Sequence, residues 1–369
     1  MNRVLGAALL LLLNSSFEIR NSSFASDFLP ALPGYEFEFP RDHGTHDEYR
    51  TEWWYYNGHL RAASGRRYGF ELTFFRVGVV PPHAPQQTIW DLRNLALAHF
   101  AITDVDAKKF RYYEKLNRSS PFTALAVAGK LDVFNEAWRA TTMSDGAWRI
   151  AASQGGDAID LVLRSRKPPA IHGQDGVSVK AQGAGYASHY YSMTRLELSG
   201  TITARGRKPE RCSGLAWMDH EFGSSALREN QQGWDWFSVQ LDNDAELMLY
   251  QIRRSDGTVD IASSGSLVTP EGEVIHLTRD RMSVRSLRNW TSPNSRARYP
   301  MGWIVSVPSL RLTLRLDPVL EDQELMTRSS TRVTYWEGAV DVTGSFDNVA
   351  VNGDGYVEMT GYDRPLRQP

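Results

Sequence analysis

One cysteine, Cys212, stands in 369 residues, so no internal disulfide can form and stability has to come from packing. Its position also excludes lipid attachment at a mature N-terminal cysteine, and no disulfide-linked partner is expected. Charge of one sign is also lacking. With 41 basic against 43 acidic residues and a net charge of -2, the chain carries no global electrostatic footprint for nucleic acid or an anionic membrane. The apolar run from Val4 to Leu13 is too short to span a bilayer; following Arg3, it reads as the core of a signal peptide. Ser23 and Ala25 supply a small-x-small site, so cleavage is expected near Ala25 and residues 1–25 are left out of the fold. An exported chain of mixed charge without disulfides fits a bacterial periplasm.

Several chemistries lack their signatures. Ser213-Gly214 and Gly223-Ser224-Ser225 do not form a GxSxG nucleophile elbow, and no P-loop or GxGxxG follows a strand. His43, His46, Asp47, His59 and His220 show no recognised ligand spacing, so no metal and no cofactor is expected. No long stretch keeps a helical period.

Alternation at period two recurs instead, in Tyr68 to Val77, Asn94 to Asp104 and Leu310 to Leu316, and predicts half-buried antiparallel strands. Turn signals separate such runs at Ser144-Asp145-Gly146, Gln154-Gly155-Gly156, Ser255-Asp256-Gly257, Pro270-Glu271-Gly272 and Asn352-Gly353-Asp354-Gly355. The expected fold class is all-β, a barrel or sandwich. The length suits two domains. A boundary is read at the polar run Glu229 to Gly233, giving domains 26–228 and 229–369, each with an aromatic strand, a turn and a return strand (Trp53 to Leu60 then Phe70 to Val77; Trp234 to Leu241 then Leu247 to Arg253). Residues 35–50 read as a segment crossing a barrel mouth.

The most informative stretch runs from Ser213 to Leu241, where carboxylates, an imidazole and indoles crowd around a short turn. Charged groups beside several tryptophans need partners or a ligand to offset desolvation. In an extended chain Trp217, Asp219 and Glu221 share one face, and Met218, His220 and Phe222 the other. Two carboxylates about 7 Å apart couple their titrations, so one can stay protonated as a general acid; equally, they can pair with amides or arginines as structural fasteners. In EWWYYNGHL, period two separates Glu52, Trp54 and Tyr56 from Trp53, Tyr55, Asn57 and His59. Glu52 beside an indole is an acid candidate unless a cation such as Arg76 or Arg93 lies near it. Trp234, Trp236, Ser238 and Gln240 share a face that suits an apolar ligand or plain barrel filling.

These segments, with GLAWMDHEFGSSAL, GWDWFSVQLDNDAELMLYQIRR, YPMGWIVSVP and YWEGAVDVTG, resemble the CrtC/AttH-type family over residues 35–365. The resemblance implies two consecutive lipocalin-like antiparallel β-barrels, and is closer to the exported AttH-like branch, labelled predicted hydrolases, than to the carotenoid 1,2-hydratases. An apolar, lipid- or isoprenoid-like ligand is expected, with Asp219, Glu221, His220 and Glu52 as catalytic candidates for hydration or hydrolysis. The candidate ligand-binding residues are Trp53, Trp54, Tyr56, Asn57, Trp217, Trp234, Trp236, Gln240 and Tyr250. The rival expectation is a non-catalytic periplasmic carrier working beside an ABC-type exporter.

Overall fold

The computed structural model describes residues 28–85, 88, 91–174 and 176–366; the expected signal peptide lies outside the described residues. The chain is nearly all β, as its alternation predicts. Thirteen strands build a first sheet: β1 (Thr51–Ala62), β2 (Arg67–Gly78), β3 (Asn94–Asp104), β4 (Lys109–Arg118), β5 (Ala124–Ala126), β6 (Asp132–Asn135), β7 (Trp138–Thr142), β8 (Trp148–Gln154), β9 (Asp157–Ser165), β10 (Ala170–Ile171), β11 (Ser178–Val179), β12 (Ala187–Thr203) and β13 (Glu210–Gly223). Ten build a second: β14 (Gln231–Leu241), β15 (Glu246–Arg254), β16 (Ser264–Val268), β17 (Val274–Thr278), β18 (Ser283–Thr291), β19 (Arg298–Val307), β20 (Leu312–Pro318), β21 (Glu324–Met326), β22 (Thr334–Phe346) and β23 (Val349–Thr360). Every ladder is antiparallel.

The two sheets curl by the same device. In the first, β1 lies between its hairpin partner β2 and the last strand β13; in the second, β14 lies between β15 and the last strand β23. Pairing the first strand of a half with its last brings the ends of the segment together in mid-sheet, so that β4 and β5 are the edges of the first curled sheet and β17 and β18 those of the second. The remaining seam of the first barrel is bridged by side chains: Arg111 and Tyr113 of β4 reach Asp157 of β9, and Asn117 reaches Asn135 of β6.

Period two then sorts each strand into an inner and an outer face. Trp54, Tyr56, Phe70, Leu72, Met218 and Tyr191 fill the first barrel, and Phe237, Val239, Trp303, Trp336 and Val357 the second. A third cluster, Tyr55, Tyr190, Trp217, Trp236, Tyr250 and Tyr356, lies between the two sheets. Its polar fasteners are specific. Lys167 and Arg195 of the first sheet both reach Glu246 of the second, and Gln240 donates to the Thr194 and Ala216 carbonyls at 2.7 and 3.0 Å.

Two expectations change. Asn352-Gly353-Asp354-Gly355 is not a turn but the middle of β23, and the glycines serve close backbone approach: a Cβ on Gly353 would sit 2.2 Å from the Gln240 carbonyl oxygen. Leu310 belongs to a single 3-10 turn, Pro308–Leu310, and the strand begins at Leu312. The segment 35–50 does cover the first barrel, but it is anchored more deeply than a crossing loop. Asp42, His43 and Thr45 are buried, and Phe37 and Phe39 pack on Tyr191.

Candidate active site

The outer faces of β1, β12 and β13 meet the outer faces of β14, β15, β22 and β23. Register places Trp53 opposite Glu221, Tyr55 opposite Asp219 and Asn57 opposite Trp217; Ser192 of β12 lies on the other side of Asp219. From the second sheet come Trp236 opposite Glu358, and Glu358 opposite Glu337. The result is a buried crevice of carboxyl groups and aromatic rings, with Trp53, Trp234 and Glu358 keeping partial exposure at its edge.

Asp219 sits at its centre. The group is buried, and its oxygens accept from neutral donors: Tyr190 OH at 2.7 Å on Oδ2, and the Trp217 indole and Ser192 hydroxyl on Oδ1. Burial pushes its carboxyl up to about 7, against these three donors, which favour the ionised form. Behind Ser192 stands His172, 2.6 Å from that hydroxyl and held near about 3 by burial, hence neutral. Across the crevice Tyr55 donates to Glu337, whose carboxyl is driven well above its ordinary value by burial and by Glu358 and Glu71. Burial also raises Glu358 to about 7 and Glu71 to about 8. Trp236 Nε1 joins the two walls through Tyr190 OH at 3.0 Å. Three buried polar atoms here, Asn57 Nδ2, Glu71 Oε2 and Tyr356 OH, have no hydrogen-bond partner among the described residues, which is the condition of groups awaiting water or a ligand.

The candidate residues therefore divide. Asp219, Glu221, Trp53, Asn57, Trp217, Trp234, Trp236 and Tyr250 face the crevice. Glu52, His220, Trp54 and Tyr56 point into the first barrel instead, because period two sends neighbours to opposite faces. Glu52 also fails as an acid: burial would raise it, but Arg76 at 3.0 Å, His220 and His46 hold it well below the usual carboxylate range. His220 reaches Glu52 and not the crevice. Gln240 and Tyr250 are engaged structurally, the first as a fastener and the second through Val179 and Ser264. Glu221 pairs with Lys180 at 2.9 Å.

Residues not anticipated are Glu71, Glu337, Glu358, Tyr190, Ser192 and His172. A signal existed for the glutamates, each a lone acid inside an otherwise apolar strand (FELTFF, YWEGAV, YVEMTG). A surface hollow of about 530 Å³ lies away from this chemistry, where β4 meets Asn294, Leu320 and Glu324. Its two acids, Asp322 and Glu324, stand among Lys108, Lys109, Arg111 and Arg205, and the crevice is the better site on chemical grounds. Metal-ligating groups converge at His46, Glu52 and His220, on the barrel side of β1 and β13. The expected scatter of histidines is corrected to that extent; His43 bonds Tyr191, and His59 the Gly355 carbonyl.

Fold and crevice together define a double-barrel β protein with a buried acid-aromatic site between its halves. The sequence pattern of the AttH-like family matches residues 30–362, and the chain belongs to that family. A crystal structure of an AttH protein from Nitrosomonas europaea superposes with a TM-score of 0.81 at 33% identity, covering 91% of this chain and 99% of that one. Kievitone hydratase from Nectria haematococca shares the fold, with a TM-score of 0.70 at 14% identity over 91% of this chain and 98% of that one. In sequence, the dehydratase asqC of Emericella nidulans is 23% identical over 282 residues, which is 70% of this chain and 75% of the relative.

Proposed function

We propose that the protein is a hydratase or dehydratase that adds water to, or removes it from, a neutral apolar or aromatic small molecule in the crevice between the barrels. The observation that carries this is Asp219, a buried carboxyl held by three neutral donors and no arginine, beside Tyr55 of the paired strand, which donates to Glu337 of the second sheet. A carboxyl near 7 can give and take a proton at neutral pH. Asp219 gives its proton to an alkene carbon or to a leaving hydroxyl, and Trp53, Trp234 and Trp236 stabilise the positive charge that develops. The Asp219 carboxylate so formed takes back one proton, from the added water in hydration or from the neighbouring carbon in dehydration, while Tyr55, held by Glu337, orients the water. Asn57 and Glu71 supply the unmatched polar groups that a substrate oxygen would meet. The relatives named for hydration and dehydration support the same class of reaction.

Export and a periplasmic location belong to this proposal, with residues 1–25 as the leader. A carrier working with an ABC-type exporter is the weaker reading. A carrier needs no acid free to move a proton, so its carboxylates would pair with arginines; Glu52 and Asp235 do so, and the acids at the centre of the crevice do not. The test is incubation of the purified protein with a panel of neutral prenylated phenols and their hydrated counterparts. Products differing by one water, formed by wild type and not by Asp219→Asn, support the proposal; equal turnover by the variant removes Asp219 from it.

A further inference from the structure

We propose that His46, Glu52 and His220 form a binding site for one divalent transition-metal ion of the zinc class. The site stands apart from the crevice reading and lies on the opposite face of β1 and β13. His46 comes from the segment covering the barrel, Glu52 from the start of β1 and His220 from β13. One ligand atom of each lies within 4.8 Å of the others.

The surrounding contacts orient these atoms inward. Arg76 Nε and Thr45 Oγ1 hold Glu52 Oε2 at 3.0 and 2.8 Å, leaving Oε1 turned toward His46 Nδ1 and His220 Nε2, each 2.8 Å away. The outer nitrogens both meet Asp42: His46 Nε2 its carboxylate at 3.4 Å, His220 Nδ1 its main-chain oxygen at 3.0 Å. Tyr191 OH, 3.1 Å from His220 Nδ1, gives its own proton to that same oxygen. Acceptors on the outer side fix the outer nitrogens as N–H donors. In neutral rings the inner nitrogens then aim lone pairs at a carboxylate oxygen, which only a proton or a metal ion can reconcile. Outer partners of this kind, a carboxylate and a carbonyl behind two histidines, are the second shell of metal-bound imidazoles. Two imidazoles and one carboxylate suit zinc, with a position left open.

Without metal, protons fill the gap. A metal competes with a proton for these inner nitrogens, so binding releases protons and weakens in acid. His46 keeps 11% of its side chain exposed, which gives an entry path. The bound ion would clamp the covering segment onto β13, the strand whose other face carries Asp219 and Glu221.

Chelator-treated full-length protein is titrated with Zn²⁺ by calorimetry in two buffers of different ionisation enthalpy, and with Co²⁺ while visible bands are followed. The site predicts one saturable ion per chain with proton release. His46→Gln and His220→Gln each weaken binding by at least about 100-fold and Asp42→Asn by about 10-fold, while His83→Gln leaves it unchanged. His46 lies in a loop, so His46→Gln decides the matter should His220→Gln fail to fold. No saturable binding by wild type, or unchanged binding by a folded His46→Gln, overturns the proposal.

Discussion

Asp219 and Glu52 begin alike, each a carboxylate beside tryptophans in a β-strand, and their neighbours send them in opposite directions. Around Asp219 every polar partner is neutral, so burial raises the group; around Glu52, Arg76 and two histidines overcome burial. Replacing each by its amide separates the roles. Asp219→Asn keeps the side chain's size and one accepting oxygen, at the cost of turning the Tyr190 hydroxyl, and should lower turnover by about 10²-fold or more with an effect on unfolding of about 1 kcal/mol. Glu52→Gln should leave buried Arg76 with only the half-exposed Asp47 as a charge partner, 3.5 Å away, and cost about 3 kcal/mol of stability, read in urea unfolding curves. A loss of stability in the first variant and none in the second would reverse the assignment. The faces of these residues were legible from period two alone. Their ionisation was not, because the sequence offers Arg76 or Arg93 as a partner for Glu52 and only the β1-β2 register, which puts Arg76 across from it, chooses between them.

Strands were legible where apolar and polar residues alternate, and β3 spans the expected Asn94–Asp104. The pattern misled in β23, where Asn-Gly-Asp-Gly has turn composition but a strand's position. Local chemistry lost to long-range pairing, since β23 is hydrogen-bonded on both sides, to β14 and β22. Gly353→Ala places a methyl on the Gln240 carbonyl and should destabilise by about 3 kcal/mol. Asn352→Ala, next to it and exposed, should change stability by less than about 0.5 kcal/mol. Chemical denaturation of the two variants compares them directly. Equal stability in both would mean that β23 does not approach β14 so closely. Glu71, Glu337 and Glu358 teach the complementary lesson: an acid alone in an apolar strand marks a meeting of sheets, but which sheet it meets is set by the whole fold.

At the scale of the molecule, the crevice joins the two barrels through groups whose ionisation opposes their contact. Raised carboxyls bind more protons folded than unfolded, so their contribution is complete below about pH 4 and is lost as pH rises through their folded values, about 7 for Asp219 and Glu358 and about 8 for Glu71. His46, raised to about 9, acts with the same sign. Buried neutral histidines act oppositely: His43, His99 and His172, lowered by burial to about 4, 3 and 3, destabilise the fold as pH falls below about 6.5. Stability should therefore peak near about pH 6 to 7 and fall toward pH 9. In Glu71→Gln the alkaline slope should be shallower, as thermal unfolding across that range would reveal; an unchanged slope would remove Glu71 from the effect.

The central claim is that Asp219 moves a proton to or from substrate in the crevice between the barrels. Its most direct measurement is deuterium incorporation at substrate carbon in heavy water, followed by mass spectrometry for wild type, Asp219→Asn and Tyr55→Phe on any turned-over member of the prenylated phenol panel. The account predicts incorporation by wild type, its near-complete loss in Asp219→Asn and a partial loss in Tyr55→Phe. Incorporation by Asp219→Asn at the wild-type rate would contradict it.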